Sequence, residues 1–248
     1  MSDSTARDKP TVVVTGGSAG IGWGICADLL DRGYQVVSIA RRKPPKEAEG
    51  LHSYEVDLAD PVATAEVAAR VAKEHAVTGL VNNAGVIQPA LVEDVSHDDL
   101  IKLTDLHLGA AITLTQAFLP AMKAAGFGRI VNMSSRAVVG LETRTVYAGT
   151  KAAMIAMTRT WAMELGPYGI TVNAIAPGPV VTDMFTDVIP EDSDKARGLA
   201  ASLPRRRLGT AADVARATWY FLDPENDWVT GQTLFVCGGA SLGALQLQ

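Results

Sequence analysis

The chain has only two cysteines, Cys26 and Cys237, set far apart with no CxxC pair and no histidine cluster beside either. That argues against a disulfide framework or a zinc site, and for buried thiols in a reducing cytosol; no metal is expected. No run of about 18 apolar residues is present, so no membrane-spanning helix is expected. Positive charge is also scarce. Lys and Arg number 22 against 27 Asp and Glu, a net charge of −5, and no Lys/Arg run exceeds three residues. Neither nucleic acid nor an anionic membrane surface is then the main partner. The opening stretch MSDSTARDKP (1–10) lacks the apolar segment of a secretory signal and reads as a flexible tail. Internal repeats and low-complexity segments are missing as well. Residues 11–248 are expected to form one cytoplasmic domain whose partner is a small molecule.

Apolar residues make up 48% of the 248, enough for a sizeable core. Short β-branched runs alternate with longer amphipathic ones. Strands are expected at TVVVT (11–15), QVVSIA (35–40), HSYEV (52–56), GLVNN (79–83), RIVNMS (129–134), ITVNAI (170–175) and TLFVC (233–237). Between them run helical patterns, such as Ile21, Ile25 and Leu29 at fourfold spacing, stopped by Gly33. The alternation predicts an α/β fold: a single-domain, Rossmann-like, doubly wound parallel sheet of about seven strands, with helices on both faces. Near-continuous apolar strands fit a sheet covered on both sides, and ligands of such folds bind beyond the carboxyl ends of the strands.

The first of those ends reads T-G-G-S-A-G-I-G, Thr15 to Gly22. Gly16, Gly20 and Gly22 permit tight turns, and with Ser18 and Ile21 they bring backbone N–H groups to the start of a helix, where a pyrophosphate is held. A strand–loop–helix context is what a dinucleotide site requires. After the second strand come Ala40, Arg41, Arg42 and Lys43, with no Asp or Glu. An acidic group there suits a free ribose 2′-hydroxyl, whereas a guanidinium suits a 2′-phosphate, so NADPH/NADP is expected over NADH/NAD.

Further on stand Asn82-Asn83-Ala84-Gly85, Ser134-Ser135, Tyr147-x-x-x-Lys151 and Pro177-Gly178. With these motifs in this order from Val12 to the closing TGQTLFVCGG, the chain resembles the short-chain dehydrogenase/reductase family, and in motif pattern its 3-oxoacyl-carrier-protein reductase group. The resemblance implies an NAD(P)(H)-dependent oxidoreductase acting on ketones or secondary alcohols, assembled as a homotetramer or homodimer. It makes Tyr147 the general acid or base. Lys151, one helical turn on, would lower the phenol's pKa and hold the nicotinamide ribose. Ser135 would orient the substrate oxygen. The family's usual spacing to the tyrosine points instead to Ser134, but the strand register favours Ser135. Asp57 and Leu58 after the third strand, and Asn83, Ala84 and Gly85 after the fourth, would line the adenosine side; the asparagines serve equally well as clamps between strands. Pro177, Gly178, Val180 and Thr182 would meet the nicotinamide carboxamide.

His107 and Cys237 depart from the pattern. His107 stands where the family usually has an asparagine that fixes a water on the catalytic lysine, through an irregular helix. A histidine there either replaces the relay, carries protons itself with a pKa near ~6.5, or fills the space. Cys237 stands where aspartate is common and reads as a small buried residue near an interface. Residues at about 183–208 would fold over the substrate as a lid, apolar through Met184, Phe185, Val188, Ile189 and Leu199. Ala137 to Val146, with Glu142 and Arg144, would form the opposite wall. The reading that results is an NADP(H)-dependent carbonyl or 3-oxoacyl reductase. The alternatives are an NAD-dependent dehydrogenase of a secondary alcohol or cyclic diol, and a non-catalytic nucleotide-binding interaction protein.

Overall fold

A computed structural model describes residues 10–187 and 189–242. Most of the expected tail, the last six residues and Val188 of the expected lid lie outside the described residues. Seven strands form one sheet: β1 (Thr11–Thr15), β2 (Gln35–Ala40), β3 (Leu51–Glu55), β4 (Val77–Asn82), β5 (Gly128–Met133), β6 (Ile170–Pro177) and β7 (Thr233–Val236). Their order is β3-β2-β1-β4-β5-β6-β7, and every pairing is parallel. The helices are α1 (Gly20–Asp31), α2 (Pro61–Glu74), α3 (His97–Thr104), α4 (Ala110–Ala125), α5 (Thr145–Leu165), α6 (Asp183–Thr186), α7 (Asp194–Ser202) and α8 (Ala211–Leu222). A π-helical turn, Asp105–Gly109, joins α3 to α4.

Successive strand residues point to opposite faces, and β1 shows where each goes. Val13 packs with Val37, Ile39 and Leu80 in a core that takes in Val71 of α2, Leu114 and Phe118 of α4 and Leu165 of α5. Val12 and Val14 pack with Val36, Val81 and Val131 in a second core against Ile25 and Leu29 of α1 and Val214 and Phe221 of α8. The sheet is therefore covered on both sides, as its apolar strands required. Each fully buried Leu, Ile or Phe contributes about 1.5–3 kcal/mol of transfer free energy. α1 and α8 approach closely because Gly24 has no side chain; a Cβ there would lie 2.7 Å from that of Ala211.

β1 and β2 keep the expected bounds, and the other five strands differ from expectation by one or two residues at an end. β4 starts at Val77 because Thr11 pairs there before the register shifts. β6 runs on to Pro177, which pairs with Val236; at that end proline forfeits a single ladder donor.

Two polar threads hold the middle of the sheet. The Thr15 hydroxyl accepts the N–H groups of Asn83 and Ala84 at 2.8 and 2.9 Å, and Asn83 Nδ2 donates to the Thr15 carbonyl at 2.8 Å. Asn82 Nδ2 donates to Asn132 Oδ1, and Asn132 Nδ2 donates to Thr158 Oγ1 of α5, both at 2.9 Å. Asn132 is fully buried, so truncating it strands the Asn82 amide and leaves the Thr158 hydroxyl only its bond to the Met154 carbonyl. Asn132→Ala is expected to lower stability by about 3 kcal/mol. Chemical denaturation measures this, and a loss below about 1 kcal/mol would show that the thread carries no stability.

Candidate active site

The carboxyl ends of β1, β4, β5 and β6 bring four loops together. α1 begins at Gly20 with Ala19 before it, which offers no side-chain cap, and no acidic residue occupies the first turn. Its leading N–H groups are thus left to an anion. The glycines are needed for shape. Gly16 and Gly20 have φ of +67 and +51, and a Cβ on Gly22 would lie 2.1 Å from the Gly16 carbonyl oxygen. Ser18 lies half-buried in the loop, while Ile21 packs partly against the α1 core. The glycine loop is closed on both sides. A Cβ on Gly16 would touch Asn83 and Ala84, and one on Gly20 would touch Thr182. This bare, backbone-lined cradle fits a dinucleotide pyrophosphate.

The remaining expected contacts divide. Arg41 and Arg42 are exposed just past β2, and no carboxylate of the described residues pairs with either. Asp57 is exposed, its carboxylate accepting the Ala59 N–H at 3.0 Å. The Leu58 side chain is in the core and its carbonyl accepts the Thr64 hydroxyl, so any contact of this residue with a ligand would come from its backbone. Asn83 and Ala84 spend their donors on Thr15, which is the clamp role. Pro177 and Val180 are buried, and Val180 bridges to Gly209. Gly178 lies so near β7 that a Cβ would meet Cys237 Cα at 2.6 Å. Thr182 caps α6 through the Phe185 N–H.

Ser135, Tyr147 and Lys151 come together. Ser134 is turned away, its buried hydroxyl donating to the Lys151 carbonyl at 2.8 Å. Ser135 begins the 3-10 turn Arg136–Val139, accepts the Ala137 N–H at 3.1 Å, and stands near enough to Tyr147 to favour its ionised form. The serine that the strand register favoured is the one that stands near Tyr147. Burial raises the Tyr147 pKa above the ordinary phenol value, and the nearby Ser135 hydroxyl and the Arg144 charge offset part of that rise. The lowering expected from Lys151 is not what the protein alone gives. The ammonium lies 5.9 Å from the ring centroid and donates instead to the Met133 carbonyl at 2.8 Å. Only 3% of Lys151 is exposed, and burial pulls its pKa down to about 7.

His107 sits in the π-helical turn, 1% exposed. Its Nε2 accepts the Val86 N–H at 3.2 Å, so the ring proton is on Nδ1 and is donated to Thr150 Oγ1 at 2.8 Å. The Thr150 hydroxyl in turn donates to the Tyr147 carbonyl at 3.0 Å. Burial, then the charge of Lys151, hold the imidazole far below its usual pKa. A neutral imidazole suits the relay and space-filling readings of His107 better than the one in which it carries protons itself. Gly85 leaves it room, since a Cβ there would lie 2.9 Å from Nε2. Thr150 had no sequence signal beyond its place before the lysine. Cys237 is buried against Ser241 at 3.2 Å. Burial raises its thiol, but bonds from Ser241 and the Gly239 and Ala240 amides outweigh that and hold it below its usual value.

The buried lysine makes stability depend on pH. A base whose folded pKa lies near 7 against 10.5 when free binds fewer protons folded than unfolded, so its destabilisation is full below pH 7 and fades as pH rises to 10.5. Lys151→Met is expected to raise stability most at pH 6, with the gain shrinking towards pH 10 in parallel denaturant titrations. A gain independent of pH would mean that burial of this charge is not its source.

The family model described as enoyl-(acyl carrier protein) reductase matches residues 16–241. Acetoacetyl-CoA reductase of Acinetobacter sp. (strain RA3849) is 32% identical over 249 residues, covering 94% of this chain and 98% of that protein. The 3-oxoacyl-(acyl-carrier-protein) reductase FabG of Thermotoga maritima is 35% identical over 241 residues, covering 92% and 96%. The solved structure of ElxO with NADP bound superposes with a TM-score of 0.86 at 27% identity, over 94% of this chain and 99% of that one. With the sheet order and the Ser135–Tyr147–Lys151 grouping, these likenesses place the chain in the short-chain dehydrogenase/reductase family, as an oxidoreductase.

Proposed function

We propose that the protein is an NADP(H)-dependent carbonyl reductase that reduces a ketone within a 3-oxoacyl frame. The observation that carries the reading is the grouping of Ser135, Tyr147 and Lys151, set beside a glycine cradle closed by Thr182. The names of the acetoacetyl-CoA and 3-oxoacyl reductases support the substrate frame. Unpaired Arg41 and Arg42, and the NADP in ElxO, support the phosphorylated cofactor.

Gly16, Gly20 and Gly22 with the α1 N-terminus would hold the pyrophosphate, Arg41 and Arg42 the 2′-phosphate, and Pro177 to Thr182 the nicotinamide side. The nicotinamide, when bound, supplies the hydride and both electrons that reduce the carbonyl carbon. Tyr147 gives its hydroxyl proton to the carbonyl oxygen as that oxygen takes on charge, and Ser135 donates a hydrogen bond that orients the same oxygen. Burial keeps the phenol protonated at neutral pH, which suits reduction; the reverse direction requires Tyr147 to lose that proton and is favoured by alkaline pH. Lys151 holds the positive charge of the site, and burial lets it release a proton near neutrality.

His107 is a positioning residue. It joins the β4 loop at Val86 to α5 at Thr150 and keeps both beside Tyr147 and Lys151 without changing charge. The segment 183–208 is the substrate lid, capped at Thr182 and Ser193. Outside the site, apolar side chains stand exposed along α3–α5 (Ile101, Ile112, Met163) and at the β7 edge (Trp228, Leu234, Phe235). These faces are where copies of the chain assemble, as a tetramer or a dimer that light scattering distinguishes. Among the described residues no helix is long and apolar enough to cross a membrane.

Oxidation of NADPH and of NADH is followed with a short 3-oxoacyl thioester and its ethyl ester. Turnover is expected with NADPH, at least about tenfold better than with NADH, a preference that Arg41→Ala erodes. Tyr147→Phe is expected to lower kcat by about a hundredfold or more. Undiminished turnover in that variant would sink the assignment of the acid. His107→Asn, which keeps an acceptor for Val86, is expected to retain most activity, and the pH profile between 5 and 8 should keep the steps it has in the native protein, where Lys151 titrates. A lost step there would show that His107 does titrate.

A further inference from the structure

The wall opposite the lid carries a backbone outlier. Thr143 has φ of +62, a left-handed conformation that is disfavoured for a β-branched residue and persists only where its surroundings enforce it. The surroundings here are explicit. The Ala90 N–H donates to the Thr143 carbonyl at 3.1 Å, and Ala90 and Arg144 form an isolated parallel bridge. The strained turn therefore fixes the entry into α5 and, with it, the direction of Arg144.

Arg144 stands in the residue position just before α5 yet provides no side-chain cap. Its Nη1 donates to the hydroxyl of Thr143 at 2.5 Å and to that residue's carbonyl at 3.2 Å. Among the described residues no carboxylate pairs with it, and its Nε and Nη2 have no hydrogen-bond partner. It is half-buried, not spread over open surface. It stands three positions before Tyr147, at the start of the same helix, and its charge is felt at the tyrosine hydroxyl. A cation held in place by backbone strain, with its other donors free and the proton-donating phenol beside it, is arranged for an anion close to the reacting carbonyl.

We propose that Arg144 anchors the substrate through a carboxylate, so that the preferred substrates are ketones and secondary alcohols bearing an ionised carboxylate a few bonds from the reacting carbon. The proposal rests on the reading of Tyr147 as the proton donor. A guanidinium meets a carboxylate through two parallel hydrogen bonds, which fixes orientation as well as distance. The phosphates of a coenzyme A thioester lie at the far end of a long arm and do not come this close to the carbonyl. A 3-oxo acid offers the required geometry within the same frame as a 3-oxoacyl thioester.

The test compares acetoacetate with ethyl acetoacetate as substrates in the NADPH assay, using the native protein, Arg144→Gln and Arg144→Lys. The acid is expected to exceed the ester in kcat/KM by at least about tenfold, the weight of one charge-assisted pair. Arg144→Gln should remove most of that ratio and Arg144→Lys should keep part of it. A loss of loop structure alone would depress both substrates together and leave the ratio standing. Equal use of acid and ester by the native protein would overturn the proposal, as would a ratio indifferent to Arg144→Gln. A parallel comparison of acetoacetyl-CoA with its N-acetylcysteamine analogue would overturn it in favour of a phosphate contact, if only the coenzyme A substrate weakened in the variant. Calorimetric binding of 3-hydroxybutyrate and its ethyl ester to the NADP-loaded protein gives a second readout without turnover. Preferential binding of the acid, lost in Arg144→Gln, supports the anchor even if no ketone is reduced, an outcome that would count against the Tyr147 reading alone.

Discussion

A lysine ammonium taken almost wholly out of water is the constraint around which the site is built. Lys151 has one backbone carbonyl, that of Met133, to receive its proton, and the thioether of Met154 nearby at 3.9 Å. An unpaired charge in such a place is expensive, and its pKa falls as a result. The neighbours are chosen to suit it. Ser134 fastens the lysine's own carbonyl, which steadies the helix beneath it. Gly85 yields the space that any side chain would take from the ammonium, since a Cβ would stand 3.3 Å from Nζ. His107 is held neutral by its burial and by the same charge, because a second cation so near would be repelled.

The geometry of the histidine explains why its helix is irregular. An α-helix through residues 97–125 would follow one continuous path; the π-helical turn at 105–109 displaces the chain just where the imidazole must reach Val86 on one side and Thr150 on the other. Such turns are rare and gather at functional positions. Here the displaced turn lets one side chain bridge a loop from the middle of the sheet and the helix that carries the tyrosine and lysine.

Much of this could be read in advance. β-branched runs marked all seven strands, and Gly33 marked the end of α1, where it adopts φ of +82. The glycine loop was legible from its strand–loop–helix context, and Tyr147 and Lys151 from the family resemblance that the ordered motifs carry. Strand register favoured Ser135 over Ser134. Other features were hidden for physical reasons. The burial of the Leu58 side chain belongs to a turn beyond β3 that the Thr64 hydroxyl holds, where strand alternation gives no guidance. The tautomer of His107 arises from partners 21 and 43 residues away in sequence, and its lowered pKa from burial and the charge of Lys151. The left-handed Thr143 follows from a pairing with Ala90, and no local preference of threonine announces it. Local rules specify elements; the state of a buried titratable group is set by neighbours that only the fold assembles.

The closure of the glycine loop has a consequence for how the protein comes into being. The loop lies within the first two dozen residues, yet the surfaces that press on it are Asn83 with Ala84 and, on the other flank, Thr182. Chains emerge from the ribosome amino end first, so the cradle's first wall appears only after more than eighty residues and its second only after some hundred more. The Pro177–Gly178 turn leans in turn on Cys237, at the far end of β7. A nascent or prematurely ended chain thus displays the whole glycine motif without the means to grip a dinucleotide. The shape of the cradle is therefore a property of the assembled fold, not of the glycine motif alone.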